Sequence, residues 1–124
     1  MSEAPMILVV DDEDDARIFL SSILSSAGYR VATCTDGFEA LRSLARIQPN
    51  LVITDARMPG LEGLELLSKI KFAAPRTPVI LWSAYADWAM FDDAMERGGA
   101  DVLAKPSSND DLLRAVGHYV GVKS

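Results

Sequence analysis

Five residues that together could handle a phosphoryl group stand at the carboxyl ends of short apolar runs. Asp11 and Asp12 follow MILVV (6–10), Asp55 follows LVIT (51–54), Ser83 follows VILW (79–82), and Lys105 follows DVLA (101–104). The oxygens on offer are hard ligands, and no His or Cys shares these positions, which makes zinc and copper poor choices. Mg2+ suits them better, because it takes one or two carboxylates, keeps several waters and shares a phosphoryl oxygen. In such a set the metal and Lys105 neutralise the oxygens of a transferring group, Ser83 donates a hydrogen bond, and Asp55 attacks. An aspartate nucleophile yields an acyl phosphate. Asp11, Asp12, Glu13, Asp14 and Asp15 form an unbroken acidic run. Like charges so placed repel one another and call for solvation or a counter-cation. Asp14 and Asp15 are expected to serve a helix N-terminus instead, where negative charge is favoured.

The elements that would hold these residues alternate. The runs 6–10, 51–54 and 79–82 are continuous and apolar, as strands buried on both faces require, and 29–33 and 101–104 read as weaker strands. Between them lie segments with apolar residues at helical spacing. Ala16, Leu20, Ile23 and Ala27 mark a helix over 15–27, stopped by Gly28. Asp36 with Glu39 makes an acidic capping box for a helix carrying Ala40, Leu41 and Leu44. Leu64, Leu66, Leu67 and Ile70 mark a third helix after the loop 56–63, which holds Pro59, Gly60 and Gly63. Asp87 caps a fourth helix, with Met90, Phe91, Ala94 and Met95 turned to the core, and Gly98 and Gly99 end it. Ser108 or Asn109 caps a fifth, carrying Leu112, Leu113, Val116 and Tyr119. Five β-α units imply a doubly wound, flavodoxin-like α/β domain with a five-stranded parallel sheet. Sites in such sheets form beyond the strand C-termini, where the five residues fall.

Composition narrows the function. One domain spanning 1–124, with its core at about 6–120, suits a chain of 124 residues. The net charge of −6 argues against direct nucleic-acid binding, and without the acidic run it is only −1. No apolar run suits a membrane span and no secretory signal opens the chain. The single cysteine, Cys34, fits a reducing, cytoplasmic setting and reads as a small buried hydrophobe. His118 reads as a surface residue of the last helix.

Along residues 6–120 the chain resembles a bacterial response-regulator receiver domain. The resemblance is carried by ILVVDDE (7–13), LVITDARMPGLEG (51–63), Ser83-Ala84 and Lys105-Pro106, in that order. It implies that Asp55 is the phosphoacceptor, taking phosphate from a histidine of a sensor kinase or histidine phosphotransfer protein. It implies that Asp12 binds Mg2+ directly and Asp11 mainly through water, with Asp55 and the main-chain carbonyl of Arg57 as further ligands. Ser83 would hydrogen-bond the phosphoryl group and Lys105 would pair with it. A cis bond at Lys105-Pro106, and a downstream effector or a homodimer as the output partner, also belong to the resemblance.

Two positions depart from the family pattern. The aromatic residue usual three places before the lysine is Val102, and the frequent Phe after Lys-Pro is Ser107. Tyr85 or Trp88 would have to supply the missing aromatic. Two other functions compete with a signalling switch. One is a pseudo-receiver that binds partners without phosphate. The other is a Mg2+-dependent aspartyl phosphatase of the haloacid-dehalogenase type, which needs an Asp-x-Asp motif that Asp11-Asp12-Glu13 lacks.

Overall fold

A computed structural model describes residues 3–120. The expected outer bounds, 1 and 124, lie outside the described residues. The chain order is β1 (Met6–Val10), α1 (Asp14–Ser26), β2 (Arg30–Cys34), α2 (Gly37–Ile47), β3 (Leu51–Thr54), α3 (Gly63–Ala73), β4 (Val79–Ser83), α4 (Trp88–Glu96), β5 (Asp101–Ala104) and α5 (Asn109–Val120). The strands form one parallel sheet in the order β2-β1-β3-β4-β5. This is the flavodoxin-like (βα)5 arrangement anticipated above.

Strand alternation divides the core in two. Leu8, Val10, Val52, Val79 and Leu81 face α2, α3 and α4, where Ala40, Leu44, Leu66, Leu67, Ile70 and Ala94 are buried. Ile7, Val9, Ile53, Ile80 and Trp82 face the other way, onto Leu20 and Leu24 of α1 and Leu112 and Val116 of α5. Covering both faces explains why β1, β3 and β4 are continuous apolar runs rather than alternating ones.

Three helices, α2, α4 and α5, start at side-chain caps. The Asp36, Asp87 and Ser108 side chains accept from the backbone N–H of Glu39, Met90 and Asp111 at 2.8, 2.8 and 3.0 Å. The return arm of the first box is displaced by one residue, since Glu39 accepts from Thr35 N–H at 3.3 Å. Two elements sit one residue away from their expected places. Helix α1 begins at Asp14 after Glu13, which makes no side-chain cap, and ends at Ser26 with Ala27 as its C-cap. Strand β2 runs over Arg30–Cys34, because Tyr29 is instead tied by its N–H to Leu24 O at 3.1 Å, closing α1. Met90 and Met95 pack on the core as expected. Phe91 lies only partly buried and meets Trp88 edge-on, with ring centroids 6.0 Å apart. Among the described residues, no helix is long and apolar enough to cross a membrane.

Candidate functional site

The sheet register builds the site. Val10 pairs with Thr54, so the next residues, Asp11 and Asp55, emerge side by side, and Asp55 N–H donates to Val10 O at 2.9 Å. Ser83 pairs with Ala104, so Lys105 follows at the same edge, its N–H donating to Ser83 O at 2.8 Å. The connections leaving β1 and β3 go to opposite faces of the sheet, which opens the crevice where ligands bind in such folds.

Asp11, Asp12 and Asp55 each bring an oxygen into a group whose members all lie within 4.8 Å of one another. Asp11 is almost fully buried (1% exposed), Asp55 is buried and Asp12 is exposed. The Lys105 ammonium lies 2.8 Å from Asp11 Oδ2 and 3.5 Å from Asp55 Oδ1. It therefore sits between the two buried carboxylates and offsets part of the cost of desolvating them. Burial raises the Asp55 carboxyl above its ordinary value; Lys105 pulls it back, Asp11 pushes it up further, and the backbone N–H groups of Arg57 and Ala56 pull it down.

The donor set suits a hard divalent cation, being three carboxylates with no nitrogen or sulfur among them. Ligand distances of about 2.0–2.1 Å, extended by bridging water, can accommodate the spacing of these oxygens. Ser83 Oγ accepts from Tyr85 N–H at 3.0 Å, which leaves its hydroxyl hydrogen available to an incoming group. Arg57 turns its guanidinium outward over the Tyr85 ring, 5.1 Å from the centroid. The peptide Lys105-Pro106 is cis. Val102 packs against the core below α4 and contributes no aromatic ring, while Tyr85 and Trp88 are exposed.

Several further residues support the site. Arg17 reaches back from α1 to donate to Asp11 O at 2.6 Å and pairs with Asp14, which fixes the start of the acidic loop. Thr54 Oγ1 donates to Asp55 O at 3.0 Å. Gly63 packs so tightly that a Cβ there would stand 2.2 Å from Asp55 O and 2.7 Å from Ala56 Cα. Trp82 lies beneath Lys105, its ring centroid 4.7 Å from the ammonium, and stacks on Phe19. A glycine opening a helix eight residues after a strand-end aspartate is a sequence signal for such close approach. The Trp82 contacts had no such signal, because they depend on α1 and β5 meeting β4. Cys34 is buried and unpaired, and His118 is exposed, both as expected.

An acidic crevice with a half-buried lysine lies at the C-terminal edge of a 2-1-3-4-5 parallel sheet, the place where doubly wound α/β domains bind their ligands. The profile described as response regulator receiver domain matches residues 7–117. The chain belongs to that family. It is 33% identical over 118 residues to sporulation initiation phosphotransferase F of Bacillus subtilis, covering 95% of each. It is 37% identical over 118 residues to the DNA-binding transcriptional regulator NtrC of Escherichia coli, covering 92% of this chain but spanning only 25% of NtrC. Among solved structures, the chemotaxis protein CheY4 of Vibrio cholerae superposes with a TM-score of 0.89 at 26% identity, covering 94% of this chain and 98% of that one. A response regulator receiver domain protein of Clostridium thermocellum gives 0.88 at 31% identity, covering 94% of each.

Proposed function

We propose that this chain is a phosphoacceptor switch of a two-component or phosphorelay system, in which Asp55 takes a phosphoryl group from a histidine of a sensor kinase or phosphotransfer protein. The observation that carries the reading is the Lys105 ammonium held between Asp11 and Asp55, beside three converging carboxylates. An Asp55 oxygen forms the new bond to phosphorus as the phosphorus–nitrogen bond to the donor histidine breaks, leaving the imidazole as product. The Ser83 hydroxyl and the Lys105 ammonium receive the phosphoryl oxygens. The Arg57 and Ala56 N–H groups orient the carboxylate. Asp12, Asp55 and the Arg57 carbonyl would hold Mg2+, with Asp11 mainly through water. When bound, the ion supplies the positive charge that lets an anionic carboxylate approach an anionic donor.

The domain, with its core over 6–120, acts in the cytoplasm as a switch rather than an enzyme, passing its state to an effector or a second copy. Relatives such as sporulation initiation phosphotransferase F and NtrC support this place in signalling. Val102 and the exposed Tyr85 and Trp88 favour a second reading, a partner-binding module that works without phosphate.

Incubation with Mg2+ and acetyl phosphate, followed by mass spectrometry, separates the readings. The switch gives one base-labile phosphate on Asp55, lasting minutes to hours and abolished by Asp55→Asn. Absence of any adduct supports the phosphate-independent module, and rapid turnover supports an aspartyl phosphatase. The same adduct persisting in Asp55→Asn would refute the assignment.

A further inference from the structure

Lys105 has a third neighbour besides the two carboxylates. Its ammonium lies 4.7 Å from the centroid of the Trp82 ring, within the range of a cation–π contact. The ring is well fixed. Trp82 is 4% exposed, its strand is paired on both sides, and Phe19 of α1 stacks on it at 5.9 Å with an interplanar angle of 11°. The indole is kept at a cost, because Trp82 Nε1 is buried with no hydrogen-bond partner among the described residues. A leucine or methionine would fill this strand position without burying an unpaired donor. What neither would supply is an aromatic face for a cation. The lysine stem is long and rotates freely, so a fixed ring beside its head narrows the positions it samples.

We propose that Trp82 is a positioning residue for Lys105, its ring acting with Asp11 and Asp55 to keep the ammonium at the acidic crevice before phosphoryl transfer. The inference rests on Asp55 as phosphoacceptor for its kinetic consequence, but not for the contact itself. The charge of a new phosphoryl group on Asp55 draws the ammonium away from the ring, so the indole reports the state of the site.

The test uses the full chain carrying Trp88→Phe, which leaves Trp82 as its single tryptophan. Lys105→Met is expected to change the Trp82 emission of the unphosphorylated protein, and acetyl phosphate with Mg2+ to change it in the same direction when Lys105 is present. Trp82→Leu is expected to slow Asp55 labelling by roughly threefold to thirtyfold, as a lower maximal rate at an unchanged half-saturating acetyl phosphate concentration. Trp82→Phe, which keeps a ring, restores part of that rate. Trp82 emission that ignores Lys105→Met overturns the proposal, even where Trp82→Leu folds poorly. Equal labelling rates in the Trp82, Phe and Leu proteins overturn it too. If the parent chain takes no phosphate at all, the phosphoacceptor reading fails, while the response to Lys105→Met still decides the contact.

Discussion

Replacing Gly63 by alanine sets a methyl carbon 2.2 Å from the carbonyl oxygen of Asp55 and 2.7 Å from Ala56 Cα. Both are backbone atoms, so no rotamer change relieves the clash. Restoring even a 3.0 Å separation requires a relative shift of about 0.8 Å between α3 and the Asp55-Ala56 peptide. That shift strains the hydrogen bond from Gly63 N–H to Ala56 O, now 2.9 Å, and moves the N–H groups that hold the Asp55 carboxylate. Overpacking of this kind costs about 1–3 kcal/mol, and the better helix propensity of alanine returns less than about 1 kcal/mol at a first helical position. The net loss is about 1–2 kcal/mol, which lowers Tm by roughly 4–8 °C in a domain of this size. Displacing the nucleophile by about this distance slows acetyl phosphate labelling of Asp55 by roughly 10- to 100-fold. Gly37→Ala is the control. Its Cβ also opens a helix, but its nearest contacts are Leu61 Cδ2, Cβ and Cγ at 2.9, 3.0 and 3.1 Å, a milder overlap that does not press on the Asp55-Ala56 peptide. Thermal unfolding and labelling kinetics on both variants decide the matter. Gly63→Ala with parental Tm and parental labelling rate would refute the reasoning.

Because the native Asp55 carboxyl is raised above its ordinary value of 3.8, the folded protein retains a proton that the unfolded chain has released. Unfolding free energy therefore falls as pH rises through the interval above 3.8, and ionised Asp55 is a net cost at neutral pH. In EDTA, Asp55→Asn should match the parent in acid and melt higher at pH 7.5; a parent that melts higher at pH 7.5 contradicts this. Mg2+ at a hundred times its Kd should stabilise the parent by about 2.7 kcal/mol, or roughly 10 °C. Asp12→Asn, an exposed change, should alter the metal-free Tm little yet lose most of that gain, and equal Mg2+ shifts in both proteins would remove Asp12 from the site. Burial, reinforced by Glu39, pushes the Cys34 thiol up to about 11, so its thiolate fraction at pH 8 is about 100-fold below that of a free thiol. Ellman's reagent should react with it only after urea unfolding, and reaction within seconds in the native protein would count against its burial.

Residues buried on both faces of a sheet leave the plainest trace in a sequence. MILVV, LVIT and VILW read as strands because every position in them after Met6 is buried, and each run is followed by a polar residue at the crevice edge. Sheet order and register then bring Asp11, Asp55, Ser83 and Lys105 to one edge. The start of α1 was harder to place. Five consecutive acidic residues offer no single capping signal, and the helix begins without a side-chain cap. The reach of Arg17 back to Asp11 and the Trp82–Lys105 contact had no local pattern, since both depend on how separate elements pack. Helical spacing points Phe91 to the core, yet it lies only partly buried, because spacing does not distinguish an apolar stripe facing the sheet from one at its margin.

The lysine that bridges Asp11 and Asp55 means the molecule carries its own counter-ion. The positive charge that the acidic crevice needs is thus partly supplied from within the chain, by a residue that β5 delivers to the same edge. On the proposed function, a dissolved dication would add to that internal charge when phosphate arrives, rather than being the sole source of it.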